Sequence, residues 1–174
     1  MIVKAHPFAG TARALATDRA AASKDAPNYE SWVKNDRFYI NALGECALVW
    51  TLMERNIKHD WDADYQLVTV FIGGVSKKLH VRTAVSAGSQ RIAMPLADRD
   101  RYLKTDINAV VGARWQEPNR HVDLLGAVPR GKLMELEVRY PSDGKAPKVS
   151  QAMAVIELLS MPVSMNFLEK LDAT

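Results

Sequence analysis

Tyr65-Gln66-Leu67-Val68-Thr69-Val70-Phe71-Ile72, then Gly73-Gly74, then Val75-Ser76-Lys77-Lys78-Leu79-His80-Val81-Arg82-Thr83 is the stretch on which the fold turns. The first run is rich in β-branched and aromatic residues and predicts a strand over 65–72. Gly73-Gly74 and the short polar run to Lys78 predict a hairpin connection of several residues. Residues 79–86 alternate: Leu79, Val81, Thr83 and Val85 point one way, and His80, Arg82, Ala84 and Ser86 the other. His80 and Arg82 therefore share a face.

Upstream, Tyr39, Leu43, Cys46, Ala47, Trp50 and Met53 recur at spacings of three and four, which makes one apolar stripe and predicts a helix over 38–55. Glu45 follows Gly44 near its start, off the centre of the stripe. An alanine-rich helix over 10–25 precedes it and ends near Pro27, and 28–36 reads as polar and irregular. Between helix and strands stands an acidic cluster, Asp60, Asp62 and Asp64. Downstream, Gly88-Ser89-Gln90 breaks the strand, and 95–104 suits a short helix or turn. Strands follow at 107–113 and 122–128 about a turn at Pro118-Asn119, with a fifth at 133–140. The tail carries a helix-like run over 152–159 that Pro162 interrupts.

Helix, helix, strand, strand, short helix, strand, strand is the order of an α/β domain, a mixed sheet backed by helices. We expect one domain: a helical segment over 1–36, a core over 37–140, and a loop and helical tail over 141–174 packed on it. No G-x-G-x-x-G or phosphate-binding loop occurs. With 174 residues, 48% of them hydrophobic, the chain can bury a sizeable core. No apolar run is long enough to cross a bilayer, so no membrane association is expected. The single cysteine, Cys46, excludes an internal disulfide and a cysteine-rich zinc site, and a reducing, cytoplasmic setting is the default. The net charge of +3 and a pI near 9.0 permit nucleic-acid binding without demanding it.

Three strings resemble the PD-(D/E)XK nuclease superfamily, in particular its small phage and bacterial members. Gly44-Glu45-Cys46-Ala47 is similar to the G-E-x-A that opens that family's first core helix. Asp64-Tyr65, ahead of the strand and its Gly73-Gly74 turn, is similar to its metal-binding aspartate position. Leu79-His80-Val81-Arg82-Thr83 is similar to its hydrophobic-E-V-K-T strand. Leu103-Lys104-Thr105-Asp106-Ile107 and Val122-Asp123-Leu124-Leu125-Gly126-Ala127-Val128 extend the likeness, with Ala127 where a tryptophan is usual. The resemblance covers 40–128, about half the chain. It implies a restriction-endonuclease-like fold, a mixed β-sheet flanked by α-helices.

The resemblance also implies Mg²⁺ held by Glu45 and Asp64 and used to hydrolyse a phosphodiester, with Asp62 a rival for the place of Asp64. The chain departs from the pattern where the chemistry sits, because His80 replaces the acid and Arg82 the lysine. An arginine clamps phosphate but stays protonated and cannot act as a base. A histidine brings no negative charge and prefers softer ions. The expectation is a nucleic-acid-associated protein of nuclease descent with Mg²⁺-dependent hydrolysis weak or lost. In that reading Glu45, Asp64, His80 and Arg82 form the catalytic set, and Lys78, Gln90 and Arg91 contact DNA. The alternative is a structural or protein-interaction protein, such as a phage component or an inhibitor, that keeps the fold without the chemistry. A third reading supplies the missing acid from Asp106 or Asp123. Each residue has a plainer reading too: Glu45 as a first-turn acid favoured by the helix dipole, Asp64 as a turn former, His80 and Arg82 as an exposed strand face. Trp50, Trp61 and Trp115 are expected at the core or its edge, Cys46 as a buried small hydrophobe. A sheet edge or the methionines of the tail, Met153, Met161 and Met165, would serve a homodimer.

Overall fold

The structure, a computed structural model, describes residues 1–22, 31–85, 91–117, 119–136, 138–139 and 153–157. The paired runs of the central stretch form β3 (Leu67–Ile72) and β4 (Val75–Val85), antiparallel, with Leu67 opposite His80 and Ile72 opposite Val75. The turn between them is two residues, shorter than expected. Gly73 and Gly74 take φ of 58° and 85°, the left-handed backbone that a tight hairpin turn requires and glycine supplies without a Cβ clash. Val75–Lys78, expected in the connection, is therefore already strand.

β2 (His59–Asp62) pairs antiparallel with β3, and residues 63–66 make the turn between them. On the other side β4 pairs in parallel with β6 (Ala109–Gln116), Arg82 facing Gly112. β6 continues as a hairpin into β7 (His121–Pro129), and β1 (Ile2–Lys4) closes the far edge. The result is a six-stranded mixed sheet in the order β1-β7-β6-β4-β3-β2. With its helices it makes a single α/β domain. Its β2 edge is short, and Asp60 and Asp62 point outward along it, which discourages strand addition by another chain.

Two helices, α1 (Ala9–Ala22) and α2 (Ser31–Glu54), cover one face of this sheet. The α2 stripe (Leu43, Ala47, Leu48 and Leu52) is fully or almost fully buried against Val68, Val70, Leu79, Val81 and Val111. Ala12 and Ala16 of α1 are buried as well, and their small side chains let the two helices lie close. α2 begins at Ser31, inside the stretch expected to be irregular, so the expected boundary at 36–37 falls within a helix. Cys46 is buried, and Trp50, Trp61 and Trp115 are partly buried against this core, as expected.

The opposite face carries α3 (Leu96–Leu103) and a second, smaller core of Met94, Tyr102, Ile107, Val110, Val128 and Leu133. Beside it lies a three-stranded antiparallel sheet, β5 (Arg91–Pro95), β9 (Met153–Glu157) and β8 (Val138–Arg139), in the order β5-β9-β8. This corrects two expectations. Among the described residues, the segment expected as a strand over 133–140 begins in a 3-10 turn, Arg130–Glu135, and has strand at Val138–Arg139. Within the 152–159 run expected to be helical, Met153–Glu157 pairs with β5, so cross-strand pairing of Val155 and Ile156 prevails over local helix preference. The rest of the 141–174 tail lies outside the described residues.

Gly44, mid-helix, is where α2 comes closest to the sheet. A Cβ there would overlap the Thr83 hydroxyl and stand 3.1 Å from the Ala113 Cβ. An alanine at this site gains up to about 1 kcal/mol of helix propensity, but overpacking a tight contact costs about 1–3 kcal/mol. We predict that Gly44→Ala lowers the free energy of unfolding in urea, and that adding Thr83→Ala restores most of it. Equal stability of Gly44→Ala and wild type would refute the close-contact assignment.

Candidate functional site

The alternation of β4 places His80 and Arg82 on the α3 face and Leu79, Val81 and Thr83 on the α2 face. Glu45, on α2, thus belongs to the other side of the sheet from His80 and Arg82. The two sides meet at the 63–66 turn: the Ala63 carbonyl accepts a hydrogen bond from Arg19, the partner of Glu45, and Asp64 lines a cleft on the His80 side.

Glu45 is fully buried. Both of its oxygens accept hydrogen bonds from Arg19 of α1, Nη1 to Oε1 at 2.8 Å and Nη2 to Oε2 at 2.7 Å. The same Nη2 donates to the Ala63 carbonyl at 2.6 Å. The fork geometry of guanidinium and carboxylate makes this a strong, directional pair. Burial pushes the Glu45 carboxyl upward in pKa; Arg19 and the buried Trp61 indole pull it down and offset only part of that shift. Arg19 was not singled out from the sequence. Its signal was there: the four- and three-residue steps from Ala12 to Ala16 to Arg19 put an arginine on the buried face of an alanine-rich helix.

His80 and Arg82 are each met by α3. The His80 Nδ1 and the Tyr102 hydroxyl share a hydrogen bond at 3.1 Å, their rings 4.8 Å apart. Arg82 pairs with Asp98 at 3.0 Å, and Arg101 also reaches Asp98, at 3.5 Å. The match is geometric: one helical turn and two strand residues both span about 6 Å, so Asp98 and Tyr102 on opposed α3 meet Arg82 and His80 in turn. Burial, reinforced by the positive charges of Arg101, Arg82 and Arg19, lowers the His80 pKa to about 4. The imidazole is neutral at pH 7. Burial likewise raises the Tyr102 hydroxyl, which stays protonated.

Asp64, His80, Tyr102 and Arg101 line one open cleft of about 370 Å³, with Tyr65, Leu67, Thr105, Asp106 and Ile107 completing it. Arg82 is not in its lining. Lys78 and Asp106 form an ion pair at the rim, and the Lys78 hydrogen bond holds the Asp106 carboxyl below its usual range. Asp123, the other reserve acid, sits away from the cleft. There Arg114 donates to it at 2.8 Å, and Gln116 and His121 each lie 3.2 Å away. Burial raises the Asp123 carboxyl, but these partners more than offset it and hold it low. Gln90 lies outside the described residues, and Arg91 opens β5.

The donor set does not suit Mg²⁺ as arranged, because that ion needs several hard oxygens in near-octahedral array. Of the two expected ligands, Glu45 has both oxygens committed to Arg19, and only Asp64, exposed at the cleft, offers a free carboxylate. No group of three or more histidine, cysteine or acidic side chains is placed to hold a metal among the described residues. No described helix is long and apolar enough to cross a membrane. Compared with known proteins, the chain matches no family model and no curated sequence.

Two outcomes follow. Removing one partner of a buried ion pair strands the other charge and costs about 3–5 kcal/mol. Arg19→Ala should lose that much stability in urea unfolding, and Arg19→Ala with Glu45→Gln should recover most of it; an additive double variant would refute the pairing. The unfolded chain takes up a proton at His80 near pH 6.5, and the folded one refuses it down to about 4. Stability should therefore fall as the pH drops from 6.5 toward 4, by up to about 3 kcal/mol from this residue. His80→Phe should show a shallower loss between pH 7 and 4.5, and an unchanged slope would refute the buried neutral imidazole.

Proposed function

We propose that this chain is a nucleic-acid-associated protein of nuclease descent in which Mg²⁺-dependent phosphodiester hydrolysis is weak or lost. The observation that carries this reading is the Glu45 carboxylate. It stands where the family resemblance expects a metal ligand, and both of its oxygens are bound by Arg19. An internal guanidinium supplies there the positive charge that a metal ion would bring. The two departures on β4 agree with it. His80 is neutral and bonded to Tyr102, and Arg82 is tied to Asp98, so neither is set up as the acid-and-lysine pair that positions an attacking water.

DNA is the proposed partner. Support comes from the net charge of +3 and from cations around the cleft: Arg101 is 61% exposed, Lys78 is partly exposed and Lys104 is exposed. Lys78 and Arg91 remain the proposed backbone contacts. A cytoplasmic setting fits the buried, high-pKa thiol of Cys46, which burial pushes to about 12 and leaves unreactive.

The test is a fluorescence-anisotropy titration of labelled duplex DNA in chelator and in Mg²⁺ or Mn²⁺, with the DNA then run on a denaturing gel. We expect binding without metal that weakens as salt rises, because phosphate contacts release counterions, and intact DNA in every lane. Efficient metal-dependent cleavage that Asp64→Ala abolishes would contradict lost catalysis. No binding at low salt would contradict DNA association and favour a protein-interaction role.

A further inference from the structure

The cleft between the 63–66 turn and α3 is lined by groups that metal chemistry does not call for. Its inner wall is an uncharged aromatic pair, His80 and Tyr102, each more than nine-tenths buried yet facing the cleft. Leu67 and Ile107 add apolar surface. Tyr65 stands at the rim with 78% of its surface exposed, a large aromatic with no packing of its own to explain it. Arg101 lies over the Tyr102 ring, its guanidinium 5.3 Å from the ring centre, and is itself largely exposed. Asp64, on the same lining, offers carboxylate oxygens. The volume, about 370 Å³, falls in the range of small-molecule sites, roughly 300–1,000 Å³.

Each part answers one part of a nucleotide. A nucleobase is flat, uncharged and polar at its edge. Exposed aromatics bind bases by stacking without regard to sequence. A neutral imidazole and a phenol can meet a base edge without the cost of burying a charge. A carboxylate accepts base N–H groups, and an exposed guanidinium suits phosphate.

We propose that this cleft receives one unstacked nucleotide of a single strand, with the base against Tyr65 and its edge toward Asp64 and His80, and the phosphate at Arg101. The proposal rests on the nucleic-acid reading above and gives it a substrate class. A base inside a duplex cannot enter such a cleft without leaving its stack, which costs a few kcal/mol. Single strands, frayed ends and gaps are therefore the preferred forms.

The full chain should be titrated with a single-stranded oligonucleotide carrying 2-aminopurine, whose fluorescence is quenched by stacking. A blunt duplex of the same length and the mononucleotides dAMP and dTMP serve as parallel arms, and Tyr65→Ala and Tyr65→Phe are compared with wild type. Tyr65 is a surface residue, so both variants should fold, which circular dichroism checks. We expect tighter binding of the single strand than of the duplex, about tenfold weaker single-strand binding in Tyr65→Ala, retention in Tyr65→Phe, and no change for the duplex. Duplex binding with no preference for the single strand and no effect of Tyr65→Ala would overturn this inference and leave the DNA reading standing. Mononucleotide binding that Tyr65→Ala weakens, without binding of either polymer, would assign the cleft to a free nucleotide and remove the DNA reading. No binding in any arm would overturn both.

Discussion

The buried pair of Arg19 and Glu45 is the constraint on which the candidate site depends. One guanidinium joins three pieces of chain at one point: α1 through Arg19, α2 through Glu45, and the turn after β2 through the Ala63 carbonyl. A charge placed in the interior would be costly alone, and the fork of two hydrogen bonds offsets that cost only if all three pieces stay in register. The pair therefore fixes the 63–66 turn. That turn in turn sets Asp64 and Tyr65 at the mouth of the cleft.

The sheet then divides the chemistry. On the α2 face the contacts are apolar and close, and Gly44 is the measure of how close. On the α3 face the same strand, β4, presents polar side chains, and α3 answers each with a partner one helical turn apart. A strand between two helices with opposite demands yields strict alternation, Leu79, Val81 and Thr83 inward to one core, His80 and Arg82 to the other side. The histidine and the arginine on the polar side of this strand are thereby spent on holding α3 in place.

Much of this was legible in the residues. The three- and four-residue spacing that starts at Tyr39 marked α2, although Met53, its expected last member, is exposed and Leu48 and Leu52 are buried instead; the alternation from Leu79 marked β4, because it reports a single buried face. The shared face of His80 and Arg82 followed directly. A cleft joining Asp64 to His80 was expected only from the family resemblance, and Glu45 and Arg82, expected in the same set, lie outside its lining. What was not legible depends on contacts distant in sequence. Gly44 read as part of a motif, yet its role is the approach to Thr83, which only the packed sheet reveals. Met153–Glu157 looked helical because the strand that claims it, β5, lies some sixty residues away. The spacing of Arg19 from Ala12 and Ala16 put it on the buried face of its helix, but what it binds was not legible, since its partner sits 26 positions on, in a different helix. Tyr102 and Asp98 were hidden for the same reason: their meaning lies in the register of α3 against β4.

The central claim is that Glu45 serves the fold through Arg19 and does not serve a metal ion. Calorimetric titration of the wild-type chain with Mg²⁺ and then Mn²⁺ tests it most directly. The account predicts no saturable site for either ion, because the only uncommitted carboxylate at the expected position is Asp64. Saturable one-to-one binding of either ion, lost both in Asp64→Ala and in Glu45→Gln, would mean that Arg19 yields its partner to the metal, and would contradict the account.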